Sequence, residues 1–220
     1  MARVEVLARS RYVEGALERA VRRGVDQYVV LGAGLDSSAW RVEGVTVFEV
    51  DRAETQEWKR QQLRAAGIAE PEHVRYVALD FAGAELLERL GGRGFDTGRP
   101  AFVSWLGASM YLDSAALERT VRVIGGFASG SELLFDYLLP AGERGTDGDM
   151  YVSLVGPATA EWGEPWRTFL SPVEVADLLG RHGFGNVRSV RQADAVPAEV
   201  WRRQDSLRPG ELSRIAHAEV

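Results

Sequence analysis

Apolar residues along this chain alternate between two spacings. In residues 12–23 they recur every three to four positions, at Val13, Ala16, Leu17, Ala20 and Val21, which predicts a helix with one buried stripe. Residues 28–31 form a continuous apolar run, which predicts a short buried strand. The two signals then repeat. Residues 45–50, 74–79, 101–105 and 133–138 read as further strands. Between them, residues 38–41 read as a short helix, 53–66 as a polar surface helix ended by Gly67, and 84–90 as a short helix broken by Gly91-Gly92. Asp113 is placed to cap a helix whose apolar face is Leu117, Val121 and Ile124. Five strand-then-helix units in succession favour an α/β fold with a parallel, doubly wound sheet and right-handed crossovers.

Ligands of such sheets bind outside the carboxyl ends of the strands. The candidate ligand-facing residues fall there: Gly32 and Gly34 after the first strand, Asp51 after the second, Asp80 after the third, and Leu106-Gly107 after the fourth. Glycine lets a turn approach a ligand without a Cβ clash. Asp51 follows Gly34 by 17 residues, close to the spacing of an acid that accepts ribose hydroxyls in a nucleotide-binding βαβ unit. A dinucleotide fingerprint requires a third small residue, glycine or alanine, where Ser37 stands, and Asp36 would repel a pyrophosphate. A carboxylate there suits a ligand with an ammonium group. S-adenosylmethionine, an adenosine with a cationic amino-acid end, fits better than NAD. The lone G-x-G within this segment can also be an ordinary tight turn.

Composition bounds the class. The 220 residues suit one domain, with 45% hydrophobic and 26% charged residues as in ordinary soluble globules. The net charge of −6 argues against a nucleic-acid partner. Without cysteine there is no disulfide or thiolate metal site, and His73, His182 and His217 lack metal-ligand spacing. Met1-Ala2-Arg3-Val4-Glu5 has no apolar signal core, and no run of 18 apolar residues occurs. A cytoplasmic protein without a membrane partner is the expectation.

Residues 140–170 change character, with Gly142, Gly145, Gly148, Gly156 and Gly163 spaced among acids and Trp162. This stretch reads as a lid or substrate loop, or as a plain surface connection. Ser171-Pro172-Val173-Glu174 is a capping box with proline at the first helical position, and the helix it starts ends near His182-Gly183. Residues 186–190 read as a strand, and the tail from Pro197 as an amphipathic segment interrupted by Pro209-Gly210.

Several segments in order carry a resemblance. They are Arg9-Ser10-Arg11-Tyr12, the run Gly32-Ala33-Gly34-Leu35-Asp36-Ser37-Ser38-Ala39-Trp40-Arg41, Phe48-Glu49-Val50-Asp51, Leu79-Asp80-Phe81 and Met110-Tyr111-Leu112. Together they resemble the leucine carboxyl methyltransferase family and its bacterial S-adenosylmethionine-dependent O-methyltransferases, over about residues 9 to 140. The resemblance implies a class I methyltransferase, Rossmann-like sheet with helices on both faces. It implies that Arg11 holds the methionine carboxylate, that Gly32, Ala33 and Gly34 lie under the methionine part, and that Asp51 takes the ribose with Glu49 in support. Asp80 and Phe81 would flank the adenine. The family's glutamate before Gly107 is Leu106 here, so the cofactor's amino group needs a backbone carbonyl, Asp36 or water. Only 27 residues precede Tyr28, less cover over the substrate than the family usually has.

Methyl transfer from a sulfonium asks mainly for alignment and water exclusion. A carboxylate acceptor arrives ionised, whereas a phenol often needs a base. His73 precedes a strand and His182 ends a helix, where it complements the dipole, so neither is in a convincing base position. Trp105, Met110, Tyr111 and Tyr137 are candidates for an aromatic acceptor pocket, and equally for core positions; Trp162 and Trp166 share that ambiguity. The reading is an O-methyltransferase acting on a carboxylate or phenolic hydroxyl of a small molecule or peptide, with a natural-product role in view. A fold-retaining partner domain without activity and a nucleotide-cofactor oxidoreductase are the alternatives.

Overall fold

The computed structural model describes residues 2–80, 85–202 and 207–220. Seven strands form one sheet: β1 (Gln27–Leu31), β2 (Thr46–Asp51), β3 (Val74–Ala78), β4 (Phe102–Trp105), β5 (Glu132–Leu138), β6 (Gly185–Arg191) and β7 (Ser213–Glu219). Their spatial order is β3-β2-β1-β4-β5-β7-β6. The first five strands run parallel, and β7 enters antiparallel between β5 and β6. The chain turns from one half of the sheet to the other between β1 and β4, which opens a crevice at their carboxyl ends.

Strand alternation divides the core into two layers. On one face Leu31, Val50, Val103, Trp105, Leu133 and Phe135 pack with α4 (Ser114–Gly125) and α6 (Pro172–Arg181). On the other, Tyr28, Val30, Val47, Phe102 and Leu134 receive Val13, Ala16, Leu17 and Ala20 of α1 (Ala2–Arg22). Each large apolar side chain buried this way contributes ~1.5–3 kcal/mol.

The predicted helix signals work as local chemistry. Asp113 accepts the Ala116 amide at 2.8 Å, and Leu117, Val121 and Ile124 are buried. Ser171 and Glu174 exchange both bonds of the capping box, at 2.8 and 3.2 Å. α2 (Ala53–Ala65) is the polar surface helix expected, and its buried residues are Gln56 and Lys59.

Three elements differ from expectation. α1 begins at Ala2, ten residues before the predicted start. The glycine-punctuated stretch contains a 17-residue helix, α5 (Gly145–Glu161), with Pro157 inside it. It is neither a loop nor an irregular connection, although only Gly148 and Thr159 of it are buried. The tail beyond Pro209-Gly210 supplies β7, which is hydrogen-bonded on both sides. α3 (Leu86–Gly91) is a further short helix. No described helix is long and apolar enough to cross a membrane.

Candidate active site

The first glycine turn sits at the β1/β4 crevice. Gly32 and Ala33 donate to the Val50 carbonyl at 2.9 and 3.2 Å, which ties the turn to the end of β2. Gly32 has φ 64°, and a Cβ there would come within 2.8 Å of the Ala108 Cβ, so only glycine fits. A Cβ at Gly34 would meet protein only at the Gly32 carbonyl, 3.9 Å away. It would fill open space.

Asp51 faces this turn. Its Oδ2 accepts the Gly34 amide and its Oδ1 the Arg52 amide, both at 2.7 Å. Each oxygen keeps acceptor capacity, and the residue is half-buried. Around the turn lies a cleft of about 390 Å³, lined among others by Arg9, Gly32, Gly34, Asp36, Leu106 and Gly107. That volume is within the range of small-molecule sites.

Two predicted residues, Arg11 and Glu49, are placed otherwise. Arg11 turns outward, with its side chain 73% exposed and 3.5 Å from Glu14. Arg9 takes the cleft position: its guanidinium pairs with buried Asp136, whose Oδ1 accepts the Gly107 amide at 2.6 Å. The cause is helical phase, since residues two apart on a helix point about 200° apart. Gly107, at φ 69°, lies so close to Arg9 that a Cβ would stand 2.7 Å from its guanidinium. Glu49 does not reach the cleft. It is buried and bonds Lys59 Nζ at 2.7 Å, while Lys59 also donates to the Asp36 carbonyl at 2.6 Å. Burial raises the Glu49 carboxyl above its ordinary range even against the adjacent ammonium. Glu49 therefore acts on the glycine turn through Lys59, from below. Lys59 is the only lysine beside 25 arginines in the sequence, a signal that composition carried. Gln56 works alongside it, donating to the Glu49 and Val77 carbonyls at 3.0 Å.

Asp36 is half-buried, and its Oδ1 accepts the Ser38 amide at 2.7 Å, stopping the turn at a short 3-10 segment, Ser38–Trp40. Ala33 is buried in the turn, and Leu106 is half-buried on the cleft wall. Asp80 is exposed beyond β3, on the side where Leu79 donates to the Asp51 carbonyl at 2.9 Å. Phe81 lies outside the described residues.

The aromatic candidates split. Trp105 and Tyr137 are core residues on the far face, at 0% and 2% exposure, and Tyr137 bonds Ser189 at 2.7 Å. Met110 and Tyr111 instead join Tyr151, Trp166 and Phe169 in a separate cluster beyond the ends of β4 and β5. Trp162 is 79% exposed. His73 bonds the Ala39 carbonyl, His182 bonds Glu118, both at 2.9 Å, and His217 lies between Tyr12 and Glu132 at 3.0 and 2.7 Å. Among the described residues no group of acids and histidines is arranged to hold a metal ion.

Comparison with known proteins agrees with this architecture. Over 96% of its length the chain is 31% identical to the "Putative S-adenosyl-L-methionine-dependent methyltransferase YktD" of Bacillus subtilis, covering 71% of that protein. A relative of the same description from Mycobacterium avium is 32% identical over 79% of the chain, which spans 54% of that relative. The chain thus covers about half the length of the mycobacterial relative. A crystal structure of a "putative methyltransferase" from Thermobifida fusca shares the fold, with a TM-score of 0.69 at 21% identity over 99% of this chain and 81% of that one. The family model for leucine carboxyl methyltransferases matches residues 1–125, more than half the chain, and the chain belongs to that family.

Proposed function

We propose that this chain transfers a methyl group from S-adenosylmethionine to an oxygen of a small molecule or peptide, either a carboxylate or a phenolic hydroxyl. The observation that carries the reading is Asp51, at the end of β2, held against the Gly34 amide of the glycine turn that follows neighbouring β1. Its spare acceptor capacity suits two ribose hydroxyls. The bare glycine turn admits the methionine portion, and Arg9 offers that portion's carboxylate a cation. Leu106 brings no charge, so Asp36 and the turn carbonyls are the groups left for the ammonium. S-adenosylmethionine supplies a methyl already activated on a sulfonium. The residues of the chain orient donor and acceptor and exclude water.

The test is a transfer assay with methyl-labelled S-adenosylmethionine against a panel of carboxylates and phenols. Incorporated label that is lost on alkaline hydrolysis marks a methyl ester, and stable label marks an ether. A protein that binds the cofactor yet labels nothing would favour the inactive partner domain, with Leu106 as the degraded position.

A further inference from the structure

Glu5 lies on α1 one helical turn before Arg9 and is 9% exposed. Its Oε1 has no hydrogen-bond partner. The groups around it come from four elements: Arg9 on α1, Asp136 on β5, the Ser213 hydroxyl on β7 and Tyr151 on α5. Burial, then the charge of Asp136, lift its carboxyl to about 7, against the pull of Arg9 and Ser213. An acid with that environment is costly to keep and is poised to exchange a proton at neutral pH.

Its position is chemically specific. Arg9 links it to the cofactor cleft, because the same guanidinium lines that cleft and pairs with Asp136. Tyr151, the neighbour from α5, stacks on Trp166 with ring centroids 6.2 Å apart and planes 20° apart. Both are half-buried beside Met110, Tyr111 and Phe169, beyond the ends of β4 and β5.

We propose that Glu5 accepts the proton of the methyl acceptor, and that the acceptor is a phenolic hydroxyl whose ring packs on the Tyr151–Trp166 pair. The inference rests on the methyl-transfer reading and narrows it. The phenolic oxygen forms a bond to the methyl carbon as the sulfur–carbon bond breaks. S-adenosylhomocysteine leaves, and the phenolic proton passes to the Glu5 carboxylate. Oε1 is closed to solvent, so the acceptor enters when α5 gives way. α5 is suited to that, with two buried residues in 17 and glycines of φ 87° and 83°, Gly142 and Gly163, on either side.

The experiment compares wild type, Glu5→Gln and Glu5→Asp. Two acceptor classes are used: alkylphenols, neutral at the assay pH, and nitrophenols, already ionised. Binding of S-adenosylhomocysteine by calorimetry is measured on all three proteins. The expected result is a loss of at least ~100-fold in kcat/KM for alkylphenols in Glu5→Gln, with nitrophenols within about threefold. Glu5→Asp recovers part of the loss, and the limb of the wild-type pH profile that rises through about pH 7 disappears in Glu5→Gln. Equal losses for both classes, no loss, or no transfer to any phenol while S-adenosylhomocysteine binds would each overturn the proposal and leave the cofactor reading standing. Absence of S-adenosylhomocysteine binding by wild type would overturn both.

Discussion

Replacing Lys59 by methionine tests how the glycine turn is held. The Lys59 and Glu49 side chains are 5% and 1% exposed, and their charged atoms are 2.7 Å apart. Methionine keeps most of the apolar stem, so the change is chiefly the loss of one charge. Removing one partner of a buried pair leaves the other uncompensated and costs ~3–5 kcal/mol. The Asp36 carbonyl also loses its 2.6 Å donor, which adds about 1 kcal/mol. For a chain of this size each kcal/mol lowers Tm by about 2–4 °C, so a total of about 4–6 kcal/mol drops the midpoint by roughly 8–24 °C. The pH dependence has a definite sign. Burial already raises the folded-state pKa of Glu49, and loss of Lys59 removes the main opposing influence. The folded state then binds more protons than the unfolded state between the two pKa values, so stability falls as pH rises through that window. The defect is larger at pH 8 than at pH 5. Denaturant unfolding at both values measures it, and Lys59→Met with Glu49→Leu restores much of the loss. A loss under about 1 kcal/mol at pH 8, or one of equal size at pH 5, refutes the reasoning.

Other expectations can be checked with the same protein. Asp51→Ala weakens S-adenosylmethionine binding by ~1–3 kcal/mol through lost charge-assisted bonds, read by calorimetry on a folded variant. Arg9→Ala leaves Asp136 buried with the Gly107 amide and costs ~3 kcal/mol of stability as well as cofactor affinity. Arg11→Ala, at an exposed position, changes unfolding free energy by less than about 0.5 kcal/mol and leaves the affinity alone. Glu5→Gln stabilises the protein at pH 8 by about 1–3 kcal/mol and has no effect at pH 4. A raised carboxyl is destabilising above its unfolded pKa and neutral in both states below it. Thermal melts at the two pH values decide this.

The parallel half of the fold is written plainly in the sequence because β1 to β5 are short segments rich in large apolar residues, each bounded by turn residues. Apolar residues at adjacent positions hid which face each strand residue takes. Trp105 and Tyr137 therefore stood as pocket candidates although they point into the far layer. β7 was hidden for another reason. It is short of large apolar residues, with Ile215, Ala216 and Ala218 buried, and among the described residues it follows only short 3-10 turns, Gln192–Asp194 and Ala198–Trp201, rather than an amphipathic α-helix. Glycines at 145, 148 and 156 concealed α5, since its helix is weakly amphipathic and lightly packed. Asp51 and the glycine turn were legible because spacing along one βαβ unit fixes their meeting. The exchange of Arg11 for Arg9 was not, because it depends on where α1 begins and on Asp136, 127 residues from Arg9.

The central claim is that the cleft around the glycine turn, whose Gly34 amide is bonded to Asp51, binds S-adenosylmethionine. Calorimetric titration of the purified chain with S-adenosylmethionine and S-adenosylhomocysteine, with NAD as control, tests it most directly. The account predicts micromolar binding of the first two at one site per chain, lost or weakened in Asp51→Ala, and none of NAD. Binding of NAD alone, or of none of the three by a folded protein, would contradict it.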